Sequence, residues 1–232
     1  MINDVFLDMD ETLLDFSKAE RAALTQALWG QSVEASDDIL QLYHEINLSQ
    51  WKLLEEEKLT RDVLKVRRFA LLKERTGLGI DPIRTAERYE TLLGQGAYYK
   101  EGAQEVLETL QGSYRLYLFS NGSSSIQHSR IAGADMEKYF DGIYISEDVG
   151  ADKPSPEYFR RSFDAIAKER GYGVDVSLAV MVGDRLSSDI LGGKQVGLCT
   201  IWLNEDGKEP GEILPDHTIG HISQLPELLQ QL

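Results

Sequence analysis

Near the start of the chain lies Val5–Leu14, which reads VFLDMDETLL. The apolar residues predict a short buried strand over residues 2–7, and Asp8 and Asp10 follow where that strand ends. Two carboxylates this close repel each other, so such a pair persists mainly where a cation neutralises it or where one member carries a proton. Both conditions are met in phosphoryl transfer with a divalent metal ion, which this stretch therefore indicates.

Short apolar runs of the same kind recur in the second half of the 232-residue chain. They predict strands at residues 116–119, 142–145, 178–182, 200–203 and 217–219. Helical stretches such as 103–111 and 156–170 lie between them, and this alternation is typical of an α/β fold with a parallel sheet flanked by helices. In such sheets the ligand lies beyond the carboxyl ends of the strands.

Between the first strand and the second the pattern is helical. Small and apolar residues such as Ala19, Ala23 and Ala27 recur at helical spacing over residues 17–94, with a Gly77–Gly79 turn among them. We therefore expect a catalytic core formed by residues 1–15 and 101–232 and an inserted helical cap domain over residues 16–100. An insertion directly after the first strand would place this domain above Asp8, where it could act as a lid.

Composition and charge exclude several classes of function. The net charge of −15 argues against binding a nucleic-acid polymer, which requires a basic surface, but a metal ion and a few local cations still allow a small phosphate ester to bind. No apolar run is long enough to span a bilayer, so no membrane association is expected. The N-terminal residues carry no signal-peptide pattern and Cys199 has no cysteine partner, so we expect a cytoplasmic protein.

Polar residues also follow the other predicted strands. They are Ser120–Gly122 after the strand at 116–119, Lys153 a short loop after the strand at 142–145, and Asp184 and Asp189 after the strand at 178–182. Because the carboxyl ends of parallel strands lie along one edge of the sheet, we expect these side chains to converge with Asp8 and Asp10.

Each of these pieces has a commoner interpretation when it stands alone. Ser120–Gly122 could be a generic turn, Lys153 a solvated loop lysine, and Asp184 part of a helix-capping turn. An EF-hand loop also begins with two alternating carboxylates, but it needs Gly at its sixth position and Glu at its twelfth, where this chain has Leu13 and Ala19. All four groups of polar residues in this order along one chain are much stronger evidence for a functional site than any one of them alone.

Together the four pieces resemble the four motifs of the haloacid dehalogenase-like (HAD) phosphohydrolases. The resemblance implies a Rossmann-like HAD core with a parallel sheet flanked by helices. It also implies that Asp8 is the nucleophile that forms an aspartyl-phosphate, and that Asp10 is the general acid and then the general base. Ser120 and Lys153 complete the implied catalytic set, Ser120 by holding the phosphoryl group and Lys153 by supplying positive charge and keeping Asp8 ionised.

The resemblance also implies a metal site. Asp8, Asp10 through its backbone carbonyl, and Asp184 are the implied ligands, and their oxygen atoms favour Mg²⁺, with Mn²⁺ or Co²⁺ able to substitute. Asp189 would orient either a metal-bound water or Lys153. Thr12 is expected either to hydrogen-bond Asp10 or to cap a turn.

The helical insertion resembles the cap of the family's first subclass, and an Asp at position 10 favours phosphatase or phosphomutase chemistry over dehalogenation. Further stretches, such as Ile145–Gly150 (ISEDVG) and Trp202–Asn204 (WLN), resemble bacterial pyrimidine 5′-nucleotidases. The resemblance implies a small phosphate-ester substrate such as dUMP, UMP or dTMP, and a monomer or homodimer. The chain returns to the core region through Lys100–Ala103 (KEGA), where relatives usually have proline directly before the glycine. This chain has Glu101 at that position, which puts the stiffness of the hinge between core and cap in question.

Substrate specificity is expected to come from the cap. The expected substrate-binding residues are Thr12, Phe16, Arg68, Asn121 and Gly122. Phe16 could stack on a base or pack in the hinge, and Arg68 could meet a base or phosphate or form a surface salt bridge.

The sequence is also compatible with other functions. A sugar-phosphate or phosphoglycolate phosphatase, or a phosphomutase, would use the same core with a different cap. A catalytically idle HAD-like interaction protein would show damage at Asp8, Asp10, Lys153 or Asp184, and all four are intact in this chain.

Overall fold

A computed structural model describes residues 1–56 and 58–232. The described chain divides into two compact units, one formed by Met1–Phe16 with Ala97–Leu232 and the other by Ser17–Gly96. These bounds lie within four residues of the ranges expected from the sequence. The assignment of the two units as catalytic core and cap stays a prediction.

The first unit contains a six-stranded sheet in which every neighbouring pair is parallel. Its strands are β1 (Asp4–Leu7), β2 (Arg115–Ser120), β3 (Gly142–Ile145), β4 (Ala179–Gly183), β5 (Cys199–Leu203) and β6 (His217–Ile219). The sequence predicted all six to within two residues at each end. The prediction of an α/β core with a parallel sheet and an inserted helical segment is confirmed.

The strand order is β3-β2-β1-β4-β5-β6, so β1 lies at the point where the direction of strand addition reverses. β1 pairs with β2 on one side and with β4 on the other, with Leu7 opposite both Leu118 and Val182. The Asp8 amide donates to the Val182 carbonyl at 2.9 Å, which carries the pairing one residue beyond the strand. Open parallel sheets bind their ligands at such a reversal point, beyond the carboxyl ends of the strands.

Both faces of the sheet are buried, which explains why its strands are apolar throughout. Val5 and Leu7 point to one face and join a core that includes Leu118 and Val182, while Phe6 points to the other. On that second face Phe6 packs on Phe119 with ring centroids 4.6 Å apart, and helix α8 (Pro156–Arg170) covers them. Buried aliphatic and aromatic side chains on each face stabilise the sheet by about 1.5–3 kcal/mol each.

The helices of the first unit precede, connect or follow the strands of the sheet. They are α5 (Ala103–Leu110), α6 (Ser124–Gly133), α7 (Ser146–Val149), α8 (Pro156–Arg170), α9 (Leu191–Gln195) and α10 (Leu225–Gln231). α8 has the bounds expected from the sequence: the Ser155 hydroxyl accepts from the Glu157 amide at its start, and Gly171 with φ of 83° ends it. Both signals follow from side-chain capping and from the freedom of glycine at positive φ.

The second unit consists of helices, the first of which begins at Phe16 in the preceding unit. They are α1 (Phe16–Trp29), α2 (Asp37–Glu55), α3 (Arg61–Thr76) and α4 (Pro82–Leu93). The Asp81 carboxylate accepts from the amides of Ile83 and Arg84 and so starts α4, while Gly77 with φ of 71° ends α3. None of the helices in residues 1–56 and 58–232 has the length and apolar character that crossing a bilayer requires.

Candidate active site

The site begins with Asp8, the first residue after β1. Its carboxylate is buried, and its Oδ1 accepts a hydrogen bond from the Lys153 Nζ at 2.7 Å. Lys153 is also buried, and its Nζ donates to the Phe119 carbonyl and to Asp189 Oδ1, both at 2.7 Å. One ammonium group thus uses its three donors on three oxygens, and it ties the end of β1 to the end of β2 and to the turn after β4.

Burial and like charge shape the ionisation of this pair. Burial raises the pKa of Asp8 to about 7, because it outweighs the opposing effect of Lys153, and the charge of Asp189 acts in the same direction as burial. Burial alone would lower the pKa of Lys153, but Asp189 and Asp8 outweigh it and raise the pKa. Lys153 therefore stays charged, while Asp8 needs a further cation nearby to be ionised throughout the neutral range.

Asp184, the first residue after β4, indicates where that cation would bind. Carboxylate oxygens of Asp8, Asp184 and Asp189 come within 4.8 Å of one another. Burial, followed by the charges of Asp8 and Asp189, raises the pKa of Asp184 well above its ordinary value. Asp184 Oδ1 is buried, and in the described part of the chain it has no hydrogen-bond partner. An orphaned oxygen in a group of carboxylates that share one lysine fits a divalent cation with oxygen ligands.

The three carboxylates are not equivalent as ligands. Both oxygens of Asp189 already accept hydrogen bonds, Oδ1 from Lys153 and Oδ2 from the Arg185 amide at 3.0 Å. Of the two contacts expected for Asp189, the one with Lys153 is present. Asp184 keeps an oxygen available, and its backbone carbonyl accepts from the Trp202 indole at 2.8 Å, which fixes the loop that carries it.

Asn121 holds two of the motif loops together. Its side-chain amide donates to the Lys153 carbonyl at 2.8 Å, and its Oδ1 accepts from the Lys153 amide at 2.8 Å. This reciprocal pair joins both ends of the side-chain amide to Lys153. The backbone N–H of Asn121 takes no part in it.

Ser120 and Gly122 form the rest of this loop. The buried Ser120 hydroxyl accepts from Gln127 Nε2 at 2.8 Å, and the Gly122 amide donates to the Ser146 hydroxyl at 3.0 Å. A Cβ at Gly122 would come within 2.7 Å of the Gln127 side chain. The glycine is therefore needed here for the close approach of Gln127, in addition to any approach by a ligand.

Thr12 was expected either to hydrogen-bond Asp10 or to cap a turn, and its hydroxyl contacts Asp8. Its hydroxyl donates to Asp8 Oδ2 at 3.2 Å, so the expected hydrogen bond to Asp10 is absent. The reason is local: the amides of Leu13 and Leu14 both donate to the Met9 carbonyl, and this tight turn brings Thr12 back towards Asp8. Asp8 thus accepts from Lys153 on one oxygen and from Thr12 on the other.

Asp10 lies at the edge of the site with its side chain 24% exposed. Its Oδ2 accepts from Gln127 Nε2 at 2.8 Å, and its Oδ1 accepts from Arg130 Nη1. Both donors belong to α6, the helix that follows Ser120–Gly122. The structure thus places Asp8, Asp10, Ser120, Lys153, Asp184 and Asp189 along the carboxyl edge of the sheet.

The two expected specificity residues lie in different units. Phe16 is partly buried in the first unit, and the Arg130 guanidinium lies 5.7 Å from its ring centroid. Arg68 is buried in the helical unit, where it lies over the Tyr89 ring at 4.7 Å and donates to Asn47 Oδ1 at 3.0 Å. The alternative interpretation of Arg68 as a surface salt bridge is therefore wrong, because its ion-pair partner Glu90 and its aromatic neighbours enclose it.

Among the described residues, side chains that contact the site but were not identified as site residues from the sequence include Gln127, Arg130, Ser146 and Trp202. None belongs to one of the strand-end motifs. A usable signal for two of them was the i, i+3 spacing of Gln127 and Arg130 on a helix that starts directly after a motif loop.

Comparison with known proteins identifies the family. The family model of the haloacid dehalogenase-like hydrolases matches residues 3–197. The chain belongs to the haloacid dehalogenase-like hydrolases. The HAD resemblance drawn from the sequence is confirmed, and the protein is accordingly an enzyme of this hydrolase family.

Several HAD relatives align over nearly the full chain. The pyrimidine 5′-nucleotidase PynA of Streptococcus pneumoniae is 34% identical over 96% of this chain and 88% of its own length. The pyrimidine 5′-nucleotidase YjjG of Escherichia coli is 31% identical over 97% of this chain and 96% of its own length. A crystal structure of the HAD protein YfnB from Bacillus subtilis, described as bound to magnesium, has a TM-score of 0.90 at 32% identity and covers 98% of both chains.

Proposed function

We propose that this HAD enzyme is a Mg²⁺-dependent phosphomonoester hydrolase that acts on nucleoside 5′-monophosphates, pyrimidine nucleotides above all, through an aspartyl-phosphate at Asp8. The observation that carries the proposal is the state of the Asp8 carboxylate. It is buried at the reversal point of the sheet, held by Lys153 and Thr12, and accompanied by two more carboxylates. A carboxylate fixed in this way is a nucleophile directed at a single point.

The proposed reaction has two steps. An Asp8 carboxylate oxygen forms a bond to phosphorus while the bond from phosphorus to the ester oxygen breaks, and that oxygen takes the Asp10 proton as the alcohol leaves. A water molecule then attacks phosphorus, gives a proton to Asp10 and breaks the bond to Asp8, which releases phosphate. Lys153, the Ser120 hydroxyl and the Asn121 amide surround the transferring group with positive charge and hydrogen-bond donors.

The proposed metal ligands are the side chains of Asp8 and Asp184 and the backbone carbonyl of Asp10. A divalent cation held there would neutralise charge on the phosphoryl oxygens and on the two carboxylates. Asp189 is proposed to act through its hydrogen bond to Lys153. The oxygen-only donor set favours Mg²⁺, and it admits Mn²⁺ or Co²⁺.

The substrate class rests on the relatives. Two that span almost the whole chain, PynA and YjjG, are named pyrimidine 5′-nucleotidases. We propose the helical unit as the cap that selects the substrate, because its chain is inserted a few residues after Asp8 and Asp10. Phe16, at the start of α1, is a proposed specificity residue, and Arg68, in α3, is proposed to act through the side chains that enclose it.

Phosphate release from a substrate panel tests the proposal. The panel contains dUMP, UMP, dTMP, AMP, glucose 6-phosphate and phosphoglycolate, each with Mg²⁺ and with EDTA. Asp8→Asn, which keeps the size of the side chain but removes its charge, is the matched control. Metal-dependent release led by the pyrimidine nucleotides, and lost in Asp8→Asn, is the expected result.

Each of the other outcomes tests a different part of the proposal. Release led by glucose 6-phosphate or phosphoglycolate would keep the chemistry and overturn the substrate class. Equal release with EDTA would overturn the metal requirement. No release from any substrate would contradict the proposal as a whole and favour a phosphomutase or a protein without catalytic activity.

A further inference from the structure

Two side chains of α6 enclose the Asp10 carboxylate. Gln127 donates to its Oδ2 at 2.8 Å, and Arg130 donates to its Oδ1. Arg130 Nη1 also donates to Gln127 Oε1 at 3.1 Å, so the two side chains support each other. We refer to Gln127 and Arg130 together as the Asp10 clamp.

Both side chains of the clamp are buried. Gln127 is 2% exposed and the Arg130 guanidinium is fully buried, which is uncommon for arginine unless it is paired. A buried guanidinium and a carboxylate that form charge-assisted hydrogen bonds fix each other's orientation. The clamp residues are three positions apart on one helix, so a single rigid element presents both donors to Asp10.

The clamp also reaches the groups on either side of Asp10. The amide nitrogen of Gln127 that donates to Asp10 also donates to the Ser120 hydroxyl at 2.8 Å, with one proton for each. Arg130 lies 5.7 Å from the Phe16 ring, within the range of a cation–π contact. Gly122 leaves the space through which Gln127 passes, since a Cβ there would come within 2.7 Å of it.

We infer that Gln127 and Arg130 are positioning residues that set the direction of the Asp10 carboxylate, and that Gln127 fixes it relative to the phosphoryl-binding hydroxyl of Ser120. This inference rests on the proposed function, in which Asp10 gives a proton to the leaving oxygen and later takes one from water. The clamp does not touch the reacting atoms. Arg130 acts through Asp10, and Gln127 acts through Asp10 and the Ser120 hydroxyl, so the loss of either would leave the nucleophile Asp8 in place.

Because the clamp supports the acid Asp10 and leaves the nucleophile Asp8 in place, the effect of losing it should depend on the leaving group of the substrate. The alcohol of a nucleotide is a poor leaving group and needs the Asp10 proton, whereas p-nitrophenolate leaves without one. A misdirected Asp10 therefore slows the first step for nucleotides and spares it for p-nitrophenyl phosphate. The second step needs Asp10 with both substrates, so with p-nitrophenyl phosphate the aspartyl-phosphate should accumulate after the first turnover.

The experiment is rapid-mixing kinetics of the full-length protein with Mg²⁺. The variants are Arg130→Lys, which keeps the charge but loses the planar pair of donors, and Gln127→Met, which keeps the volume but loses the hydrogen bonds. His128→Gln is the matched control, because His128 lies between them on α6 with its side chain 56% exposed. The substrates are the best nucleotide of the panel and p-nitrophenyl phosphate.

Both clamp variants should lose about tenfold or more in the first-turnover rate with the nucleotide, a part of the 10²–10⁴-fold that a positioned acid contributes. With p-nitrophenyl phosphate Arg130→Lys should release a stoichiometric burst of p-nitrophenolate at nearly the wild-type rate, followed by a slow phase. Gln127→Met also loses its hydrogen bond to Ser120, so its burst should be slower, but its loss should be smaller than with the nucleotide. The control should match the wild type with both substrates.

Equal loss of the first-turnover rate with the two substrates would overturn the inference, since it would show general damage to the site. Full activity of both clamp variants would overturn it as well. If Arg130→Lys does not fold, Gln127→Met carries the test, and thermal unfolding of each variant shows which case applies. A wild-type enzyme inactive on every phosphate ester would instead overturn the proposed function, and with it this role for the clamp.

Discussion

Asp184 combines two properties that rarely occur together in a stable protein. One of its oxygens is buried without a hydrogen-bond partner among the described residues, and the carboxylates of Asp8 and Asp189 lie close to it. Each property opposes folding in the absence of a cation, because a buried charge without a partner is costly. The site therefore stores an unfavourable interaction that a bound divalent cation would relieve.

We predict that Asp184→Asn stabilises the protein in EDTA and removes its stabilisation by Mg²⁺. The amide keeps the shape of the side chain and takes away one of the three charges. The wild type should gain about 2.7 kcal/mol in free energy of unfolding when Mg²⁺ is about 100-fold above its Kd, since only the folded state binds the ion. Urea unfolding of both proteins in EDTA and in Mg²⁺ measures these differences, and equal stabilisation by Mg²⁺ in both would contradict the ligand assignment.

Whether a functional residue can be identified from the sequence depends on its position relative to the predicted strands and helices. Asp8, Lys153 and Asp184 could be identified because each lies after a recognisable apolar strand. A charged side chain at such a position is costly to bury unless it has a function. Gln127 and Arg130 are harder to select, because polar residues on a helix are usually exposed; their i, i+3 spacing is a signal, but only the packed structure shows that these two are buried. The partner of Thr12 was equally hidden, since it depends on the exact course of a turn.

At the scale of elements, the turn after β4 places three groups at once. Gly183 ends the strand, Asp184 follows it, and Asp189 returns to lie against Gly183. A Cβ on Gly183 would lie 2.3 Å from Asp189 Oδ2, well inside contact distance. Glycine is therefore required here by the packing of a carboxylate against the backbone.

We predict that Gly183→Ala destabilises the protein by about 1–3 kcal/mol and lowers activity more than stability alone explains. The added methyl group would displace Asp189 and so disturb its hydrogen bond to Lys153, which also holds Asp8. Gly173→Ala is the control, since a Cβ there meets nothing within 4 Å. Urea unfolding and phosphate release should separate the two variants, and identical behaviour would refute the packing argument.

Asp216 links β5 to α9. Asp216 accepts from Lys194 Nζ at 2.8 Å and from the Thr200 amide and hydroxyl at 2.9 and 2.7 Å. Partial burial raises the pKa of Asp216, but these hydrogen bonds outweigh burial and lower the pKa below its ordinary value. A carboxyl whose pKa is lowered on folding stabilises the protein above its unfolded pKa of about 3.9 and loses this contribution as the pH falls further.

Asp216→Asn should therefore reduce the free energy of unfolding at neutral pH, and the difference from the wild type should shrink below about pH 4. Urea unfolding across this pH range measures it. A difference that stays constant down to the lowest pH would show that lost packing, and not lost charge, weakens the variant.

The elements themselves were predictable because their signals are local. Short runs of three to six residues between helical segments located the strands. The predicted bounds of α8 agree with local features of the structure, since Ser155 caps its start and Gly171 ends it. The order of the strands in the sheet is not local, since it depends on which side of β1 the chain adds β4. Only that order brings Asp184 beside Asp8.

At the scale of the whole molecule, the net charge of −15 opposes the approach of an anionic substrate. We predict that kcat/KM for a nucleoside monophosphate rises as KCl is increased at fixed, saturating Mg²⁺, because salt screens this long-range repulsion over a Debye length of about 10 Å at 0.1 M. The rate at saturating substrate should change little, since it no longer depends on encounter. A steady fall of kcat/KM with salt would show that local positive charge at the site controls binding instead.

In the proposed reaction phosphate passes through a covalent bond to Asp8, and chemical trapping of that bond tests it directly. The enzyme is mixed with its best substrate and Mg²⁺, quenched with acid within one turnover, reduced with borohydride to convert a phosphorylated aspartate to homoserine, and digested with trypsin. Mass spectrometry of the peptide Met1–Lys18 should then place homoserine at position 8, and the same treatment of Asp8→Asn should give none. Homoserine at another position, or its absence in a wild-type enzyme that is releasing phosphate, would contradict the account.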